Sequence, residues 1–315
     1  MTEDLVWIEQ FQAQLVAKPN LSPAQIAADL DLLFTNPALM QLSFSALVKR
    51  LIESPVWQSF DYDNNPYKAL CLQLSNEIEA YNLGLKAQPA YHSLSHFKDV
   101  CLSITLLIAQ QIPQAIAAQP TDEVKQDSVL KIDSSNPWYL SAEEAWILLF
   151  AAIGHDFGHT GMMNAVPFEI EKKSIEQIHL WLRSQNLSSD FIDELMSKVE
   201  TIILATDPRY LKSLFNIIQS TSPLPTKLNY LSMLMVEADL LASSLPTRGV
   251  LLTEALATEW QAHYPDKAQI LKAPDGRLKF LQHIAFLGPH AQRLALNASR
   301  MELIEQLQKS KPISS

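Results

Sequence analysis

The stretch Ser141-Ala142-Glu143-Glu144-Ala145-Trp146-Ile147-Leu148-Leu149-Phe150-Ala151-Ala152-Ile153-Gly154-His155-Asp156 decides the fold class. Ser141 with Glu144 three residues later is a capping box, which satisfies the unpaired N–H groups at a helix start. From Ala145 to Ile153 the run is apolar on every side, and a helix without a polar face has to be buried among other elements. The helix ends near Gly154, so it delivers His155 and Asp156 from a buried direction. The apolar run is too short to span a bilayer.

The flanking segments read the same way. Ser22-Pro23-Ala24-Gln25 looks like a helix start, with a serine cap, proline at the first helical position and glutamine three residues beyond the cap, for a helix running to about Leu33. Helical periodicity recurs over Leu42 to Ile52, Tyr67 to Leu83, His96 to Gln111, Glu169 to Gln185, Ser189 to Ala205 and Lys227 to Ser243. Beyond Gly249 two or three helices follow, interrupted by Pro265, Gly276 and Pro289. Only 7 glycines in 315 residues disfavour turn-rich sheets and glycine-rich phosphate loops. The expectation is an all-α, compact multi-helix bundle. Residues 1–85 form its N-terminal helical part, 86–308 its core, and 309–315 a disordered tail. Pro113 to Trp138, rich in Gln, Asp, Ser and Pro, reads as a loop or lid-like insertion.

With 34 acidic against 24 basic residues the net charge is -10, a field that repels polyanions, so no nucleic-acid partner is expected. No membrane partner is expected either. Glu3, Asp4 and Glu9 stand where a signal peptide would be cationic and then apolar, so a cytoplasmic location is the default. The 48% hydrophobic content is ample for a core. Cys71 and Cys101 lie among apolar neighbours without metal-binding spacing, which predicts buried free thiols. Nothing in the chain sets an oligomeric state.

Four of the eight histidines fall in two short segments, Tyr91-His92-Ser93-Leu94-Ser95-His96 and Gly154-His155-Asp156-Phe157-Gly158-His159. Imidazoles four residues apart share one face of a helix, and an adjacent His-Asp pair offers nitrogen and oxygen to divalent ions. Asp239, an acid inside the apolar helix Met235 to Leu240, is the best candidate to join them. His96, His155, Asp156 and Asp239 then form a set able to hold two cations, with one carboxylate bridging and positions open for water. His92, one turn before His96, is placed to act as a general acid. For His159, coordination, donation to a phosphate oxygen and support of a ligand remain open. Asp99 and Glu237 are equally ambiguous.

At these residues the chain resembles the HD-domain metal phosphohydrolases, and more closely the catalytic domain of class I 3',5'-cyclic nucleotide phosphodiesterases. Tyr91 to Val100 looks like that family's Tyr-His-Asn-x-x-His-x-x-Asp-Val. His155 to Asn164 fits His-Asp-x-x-His-x-Gly-x-x-Asn. Leu204-Ala205-Thr206-Asp207 and Ala238-Asp239-Leu240 follow in the expected order, and the likeness covers roughly residues 86–290. It implies an all-helical metal-dependent phosphodiesterase acting on a cyclic nucleotide or related small phosphoester.

The same resemblance implies two divalent ions, zinc with magnesium or manganese, iron being the alternative, on His96, His155, Asp156 and Asp239, with Asp156 bridging. A hydroxide between the ions would attack phosphorus while His92 protonates the leaving oxygen. His159 and Asp207 would line or support the metal pocket. Arg277-Leu278-Lys279-Phe280 stands where the family has Gln-x-x-Phe. Phe280 keeps an aromatic for stacking, and Arg277, with donors only, suits an extra phosphate or carboxylate rather than a purine amide edge. Gln282 is the substitute if the register differs. Ser93 replaces the family's asparagine, and Pro113 to Trp138 lengthens the gap between the two histidine motifs. A di-iron oxygenase, with His179 as a further ligand, and a non-catalytic binding or regulatory module are the alternatives. His263, His283 and His290 read as surface or packing residues.

Overall fold

A computed structural model describes residues 21–111, 135–273 and 275–309. Most of the expected Pro113 to Trp138 insertion, residues 1–20 and the tail from 310 lie outside them. Among the described residues every regular element is helical. The N-terminal elements are α1 (Pro23–Phe34), α2 (Pro37–Gln41), α3 (Phe44–Ile52), α4 (Pro55–Gln58) and α5 (Pro66–Gly84). The centre is α6 (Leu94–Ala109), α7 (Ala142–Gly154), α8 (Glu169–Ser184), α9 (Ser189–Leu204) and α10 (Leu211–Ile218). The C-terminal elements are α11 (Lys227–Ser244), α12 (Arg248–Trp260), α13 (Pro265–Lys272), α14 (Gly276–His283), α15 (Pro289–Arg293) and α16 (Leu296–Lys309).

The caps expected from sequence are made. Ser22 with Gln25 and Ser141 with Glu144 both form complete capping boxes, and Pro23 occupies the first turn of α1. Thr226 with Asn229 adds a third at the start of α11.

Two helices form the axis of the bundle. Every residue from His96 to Ala109 in α6 and from Ala145 to Gly154 in α7 is buried; α7 lacks a polar face, while α6 is buried with its polar residues paired inside, Lys98 on the Met40 and Leu42 carbonyls and Asp99 on Arg248. α6 packs on α7 and α11, while α7 also packs on α5 and α9. The main buried apolar cluster runs from Ile26 to Ile304, with Trp57 and Trp146 fully enclosed in it, and a smaller one gathers Ala205, Leu214, Met233 and Val236. Cys71 and Cys101 are free and buried. No helix among the described residues is long and apolar enough to cross a membrane.

One polar tie crosses this core to the functional helices. Asp31 of α1 accepts the Thr247 and Arg248 N–H groups at 2.6 and 2.8 Å, capping the start of α12. From there the Arg248 guanidinium reaches Asp99 Oδ2 at 2.7 Å and Ser95 Oγ at 2.6 Å, holding the first turn of α6, which carries His96.

Candidate functional site

Neither histidine pair shares a helical face, contrary to expectation. α6 begins only at Leu94, so His92 stands in the turn before the cap residue Ser93, and His96 sits in the first helical turn. α7 ends at Gly154, leaving His155 as its C-terminal cap residue and His159 in the following turn. Each motif therefore straddles a helix end. Loop backbone, freer than helix to aim a side chain, brings His92 and His159 together.

The four donors converge. His96 Nε2 lies 3.3 Å from His155 Nε2, 3.4 Å from Asp156 Oδ2 and 3.1 Å from Asp239 Oδ1. His155 Nε2 lies 3.2 Å from Asp156 Oδ2 and 3.8 Å from Asp239 Oδ1. Donors about 2.0–2.2 Å from one ion at tetrahedral angles stand roughly 3.3–3.6 Å apart, so this spacing and this donor set fit a divalent cation. His155 Nδ1 lies 2.9 Å from Ala152 O and donates to it, which directs the Nε2 lone pair at the cluster. The two imidazoles are buried, while Asp156 and Asp239 keep 13% and 21% of their side chains exposed. The cluster thus opens on its carboxylate side.

The electrostatics favour charge of both signs. Burial pushes the Asp156 carboxyl up, but His155, His92 and His96 outweigh it and hold the group well below the usual range. Burial likewise opposes a proton on His96, yet Tyr91, Asp156 and Asp239 raise its pKa well above normal. Burial also opposes a proton on His155, but Asp156 and Asp239 raise its pKa above normal. A cation placed among these atoms would take over the role that protons play here.

Beside the cluster, His92 Nδ1 lies 2.6 Å from Glu259 Oε1, and Glu259 Oε2 accepts the Tyr91 and His92 N–H groups at 2.8 and 3.1 Å. Burial raises the Glu259 carboxyl, but these contacts bring it below its ordinary value. The His159 ring stacks on His92 with centroids 3.5 Å apart and planes 18° from parallel. Its Nδ1 accepts the Gly161 N–H at 2.9 Å, so the neutral ring carries its proton on Nε2. Burial and then the His92 charge hold the His159 pKa down to about 3. His92, His159 and Glu259 also gather three donor atoms within 4.8 Å. Stacked rings aim their lone pairs along parallel planes, however, which suits proton traffic better than coordination.

Gly161 makes this contact fit. It has φ +77°, and a Cβ there would lie 2.9 Å from Glu259 Cγ. Glu259, in the last turn of α12, carried no marker in sequence, being neither in a motif nor at metal-ligand spacing. Tyr91 packs its ring against His92 and His96, each with centroids 4.7 Å away, and its hydroxyl lies 3.2 Å from Ser243 Oγ.

The remaining candidates lie around this centre. Asp99 is buried against Arg248; burial raises its carboxyl to about 6 although Arg248 opposes the rise. Asp207 Oδ2 accepts the Phe168 N–H at 2.8 Å and pairs with Arg209 at 3.1 Å, fastening the loop that follows His159. Asn164, the last residue of the His155 motif, bonds both Glu171 oxygens and the Ile170 N–H, fixing the other end of that loop. Glu237 turns elsewhere. Its Oε1 accepts the Leu287 and Gly288 N–H groups at 2.6 and 2.7 Å, and burial raises its pKa to about 7.

Arg277 does not present a free fork to a ligand. It donates to Ser243 O at 3.1 Å and to Leu245 O at 2.5 Å, closing the end of α11. Gln282 is exposed, and His179 on α8 belongs to neither donor group. Phe280 lines a small concavity with Tyr91.

No protein-family model matches the chain, and no curated protein sequence matches it. Solved structures do. The chain is similar to the phosphodiesterase domain of Salpingoeca rosetta rhodopsin phosphodiesterase at 16% identity and TM-score 0.55, with 92% of each chain covered. A second structure, the phosphodiesterase domain of the RhoPDE fusion protein from the same choanoflagellate, gives 15% identity and TM-score 0.53 over 90% of this chain and 95% of the other. LmjPDEB1 in complex with IBMX gives 13% identity and TM-score 0.59 over 98% and 99%. The likeness is one of fold, and the chain has the all-α fold of class I cyclic nucleotide phosphodiesterase catalytic domains.

Proposed function

We propose that this chain is a metal-dependent phosphodiesterase, with His96, His155, Asp156 and Asp239 as the ion ligands and His92 as the general acid. The observation that carries the reading is the approach of four donors from three separate segments at ion-ligand spacing, beside a histidine paired with a carboxylate. Divalent ions held there supply Lewis acidity toward a phosphoryl group and acidify a water molecule.

The chain's own residues do the rest. Glu259 anchors His92 at Nδ1, so Nε2 is the atom left to hand a proton to the departing alkoxide. His159, neutral and protonated on Nε2, offers an N–H to a non-bridging phosphoryl oxygen without competing for the proton of His92. Tyr91 walls the histidines on one side. Arg248 and Asp99 hold the His96 turn, and Asp207 and Asn164 hold the loop after His159; all of these act as positioning residues.

Hydrolysis of methyl p-nitrophenyl phosphate by the purified chain, with manganese, magnesium and zinc supplied separately, tests the reading. Release of p-nitrophenol that depends on metal and disappears in Asp156→Ala is expected. Metal-independent release, or none with any of the three ions, would refute it. The oxygenase alternative lacks its extra ligand, since His179 stands apart from both donor groups among the described residues.

A further inference from the structure

Two helices that serve the candidate centre, α6 and α12, are gripped by one short stretch near the N-terminus. α12 begins without a cap of its own, since Thr247 makes no side-chain cap bond and the first turn holds no acid. The unpaired N–H groups and positive end of such a helix need an acceptor. Asp31 supplies it from α1, with Oδ2 on the Thr247 N–H at 2.6 Å and Oδ1 on the Arg248 N–H at 2.8 Å, and is itself only 7% exposed. Farther along the same stretch the Met40 and Leu42 carbonyls accept from Lys98 Nζ at 2.7 and 3.1 Å, which fixes the start of α6.

α12 meets the centre at both of its ends. Arg248, its first residue, reaches Ser95 Oγ at 2.6 Å and Asp99 Oδ2 at 2.7 Å, one on each side of His96 in sequence. Glu259, in its last turn, holds His92 Nδ1 at 2.6 Å and accepts the Tyr91 and His92 N–H groups. A helix of 13 residues is a stiff rod roughly 20 Å long, so a shift at one end is carried to the other. There is little play at the far end, where a Cβ on Gly161 would stand 2.9 Å from Glu259 Cγ. Any displacement of α12 therefore disturbs the turn of an ion ligand and the partner of the proton donor together.

We infer that Asp31 is a positioning residue for both the ion site and His92, acting through α12 as a rigid bar. Its part in catalysis rests on the phosphodiesterase reading, whereas its hold on the two ends of α12 is measurable without turnover. Asp31→Asn keeps the shape of the side chain but leaves one acceptor oxygen where two N–H groups must be served, and turns donors toward the second. The bar then loses its stop.

Asp31→Asn in the full chain is the test, with Ser22→Ala as its control. The control loosens the opposite end of α1, where the Ser22 hydroxyl accepts the Gln25 N–H, and touches neither tie. Three quantities are read: manganese affinity by electron paramagnetic resonance, the His92 ring signals in proton–nitrogen NMR with magnesium present, assigned by their loss in His92→Asn, and kcat for methyl p-nitrophenyl phosphate at saturating manganese. In Asp31→Asn manganese should bind about tenfold more weakly and kcat should fall about tenfold, as for partners that stand behind a metal ligand. The His92 signals should move in the direction that Glu259→Gln moves them, and Ser22→Ala should change none of the three.

An Asp31→Asn chain that loses stability to urea yet keeps its manganese affinity and His92 signals would overturn the inference, as would a change at one end of α12 alone. If that variant folds poorly, Asp31→Ser, which lets water serve the two N–H groups, carries the same comparison. An unaltered chain that hydrolyses nothing, with the affinity and NMR pattern as expected, would instead sink the phosphodiesterase assignment and leave the role of Asp31 standing.

Discussion

Glu259 and His92, 167 residues apart in sequence, are joined by a 2.6 Å contact between Oε1 and Nδ1, and the second Glu259 oxygen is anchored on two backbone N–H groups. A carboxylate so fixed orients the imidazole, which the proposed role of His92 as proton donor to an alkoxide requires. Glu259→Gln should lower kcat about 100-fold with little change in KM, because the interaction matters most as the leaving oxygen gains charge. The double variant Glu259→Gln/His92→Asn should be hardly slower than His92→Asn alone, since the two act as one unit. Steady-state rates of the four proteins check this; additive losses would argue against it.

Asp156 touches both buried imidazoles, and Asp239 approaches the same two nitrogens. Replacing either by Ala removes an anionic donor from the cluster. We expect metal retained after dialysis to fall below that of the unaltered chain, and activity to fall more than about 100-fold, a loss beyond that of a supporting contact. Far-ultraviolet circular dichroism should remain helical. Elemental analysis showing full metal content in both variants would contradict the ligand set.

Gly161→Ala tests the joint between the His155 loop and α12. The residue has φ +77°, where an L side chain is strained, and its Cβ would press on Glu259. Destabilisation of about 1–3 kcal/mol is expected, with a loss of kcat resembling that of Glu259→Gln. Urea unfolding together with rates decides it. A destabilised protein with full kcat would show that the turn, not Glu259, carries the cost.

His290 predicts a pH dependence of stability away from the candidate centre. The ring is fully buried, neither nitrogen has a hydrogen-bond partner among the described residues, and burial first, then Arg293 and Lys227, hold its pKa down to about 3. Below about pH 6.5 the unfolded chain binds a proton that the folded chain refuses, so this residue's contribution to stability falls as pH falls, down to about pH 3. The loss amounts to about 2 kcal/mol by pH 5. His290→Leu should flatten the dependence of the urea midpoint between pH 7 and 5, and be neutral or stabilising at pH 7.5 because no hydrogen bond is broken. An unchanged slope would exclude His290 as its source.

Much of this architecture was legible in the chain. The run from Ala145 to Ile153 has no polar face, which forces its helix to the centre, and the Ser22 and Ser141 caps are local chemistry that needs no tertiary partner. Helix ends were less legible. The four-residue spacing of His92 with His96 and of His155 with His159 suggested shared faces, but Ser93 and Gly154 bound the helices between or before these residues. A motif spacing that matches 3.6 periodicity does not itself require helix.

The sequence by itself determined the helical class, the buried helix that ends at Gly154 and which residues stood out as candidate donors, because hydrophobic periodicity, capping and residue chemistry are local properties. Only the tertiary structure decided that Glu259 pairs with His92 and that Arg277 turns to the end of α11. Those outcomes depend on how α11, α12 and α14 pack at long range, where burial compels each charged group to find whichever partner the fold brings within reach.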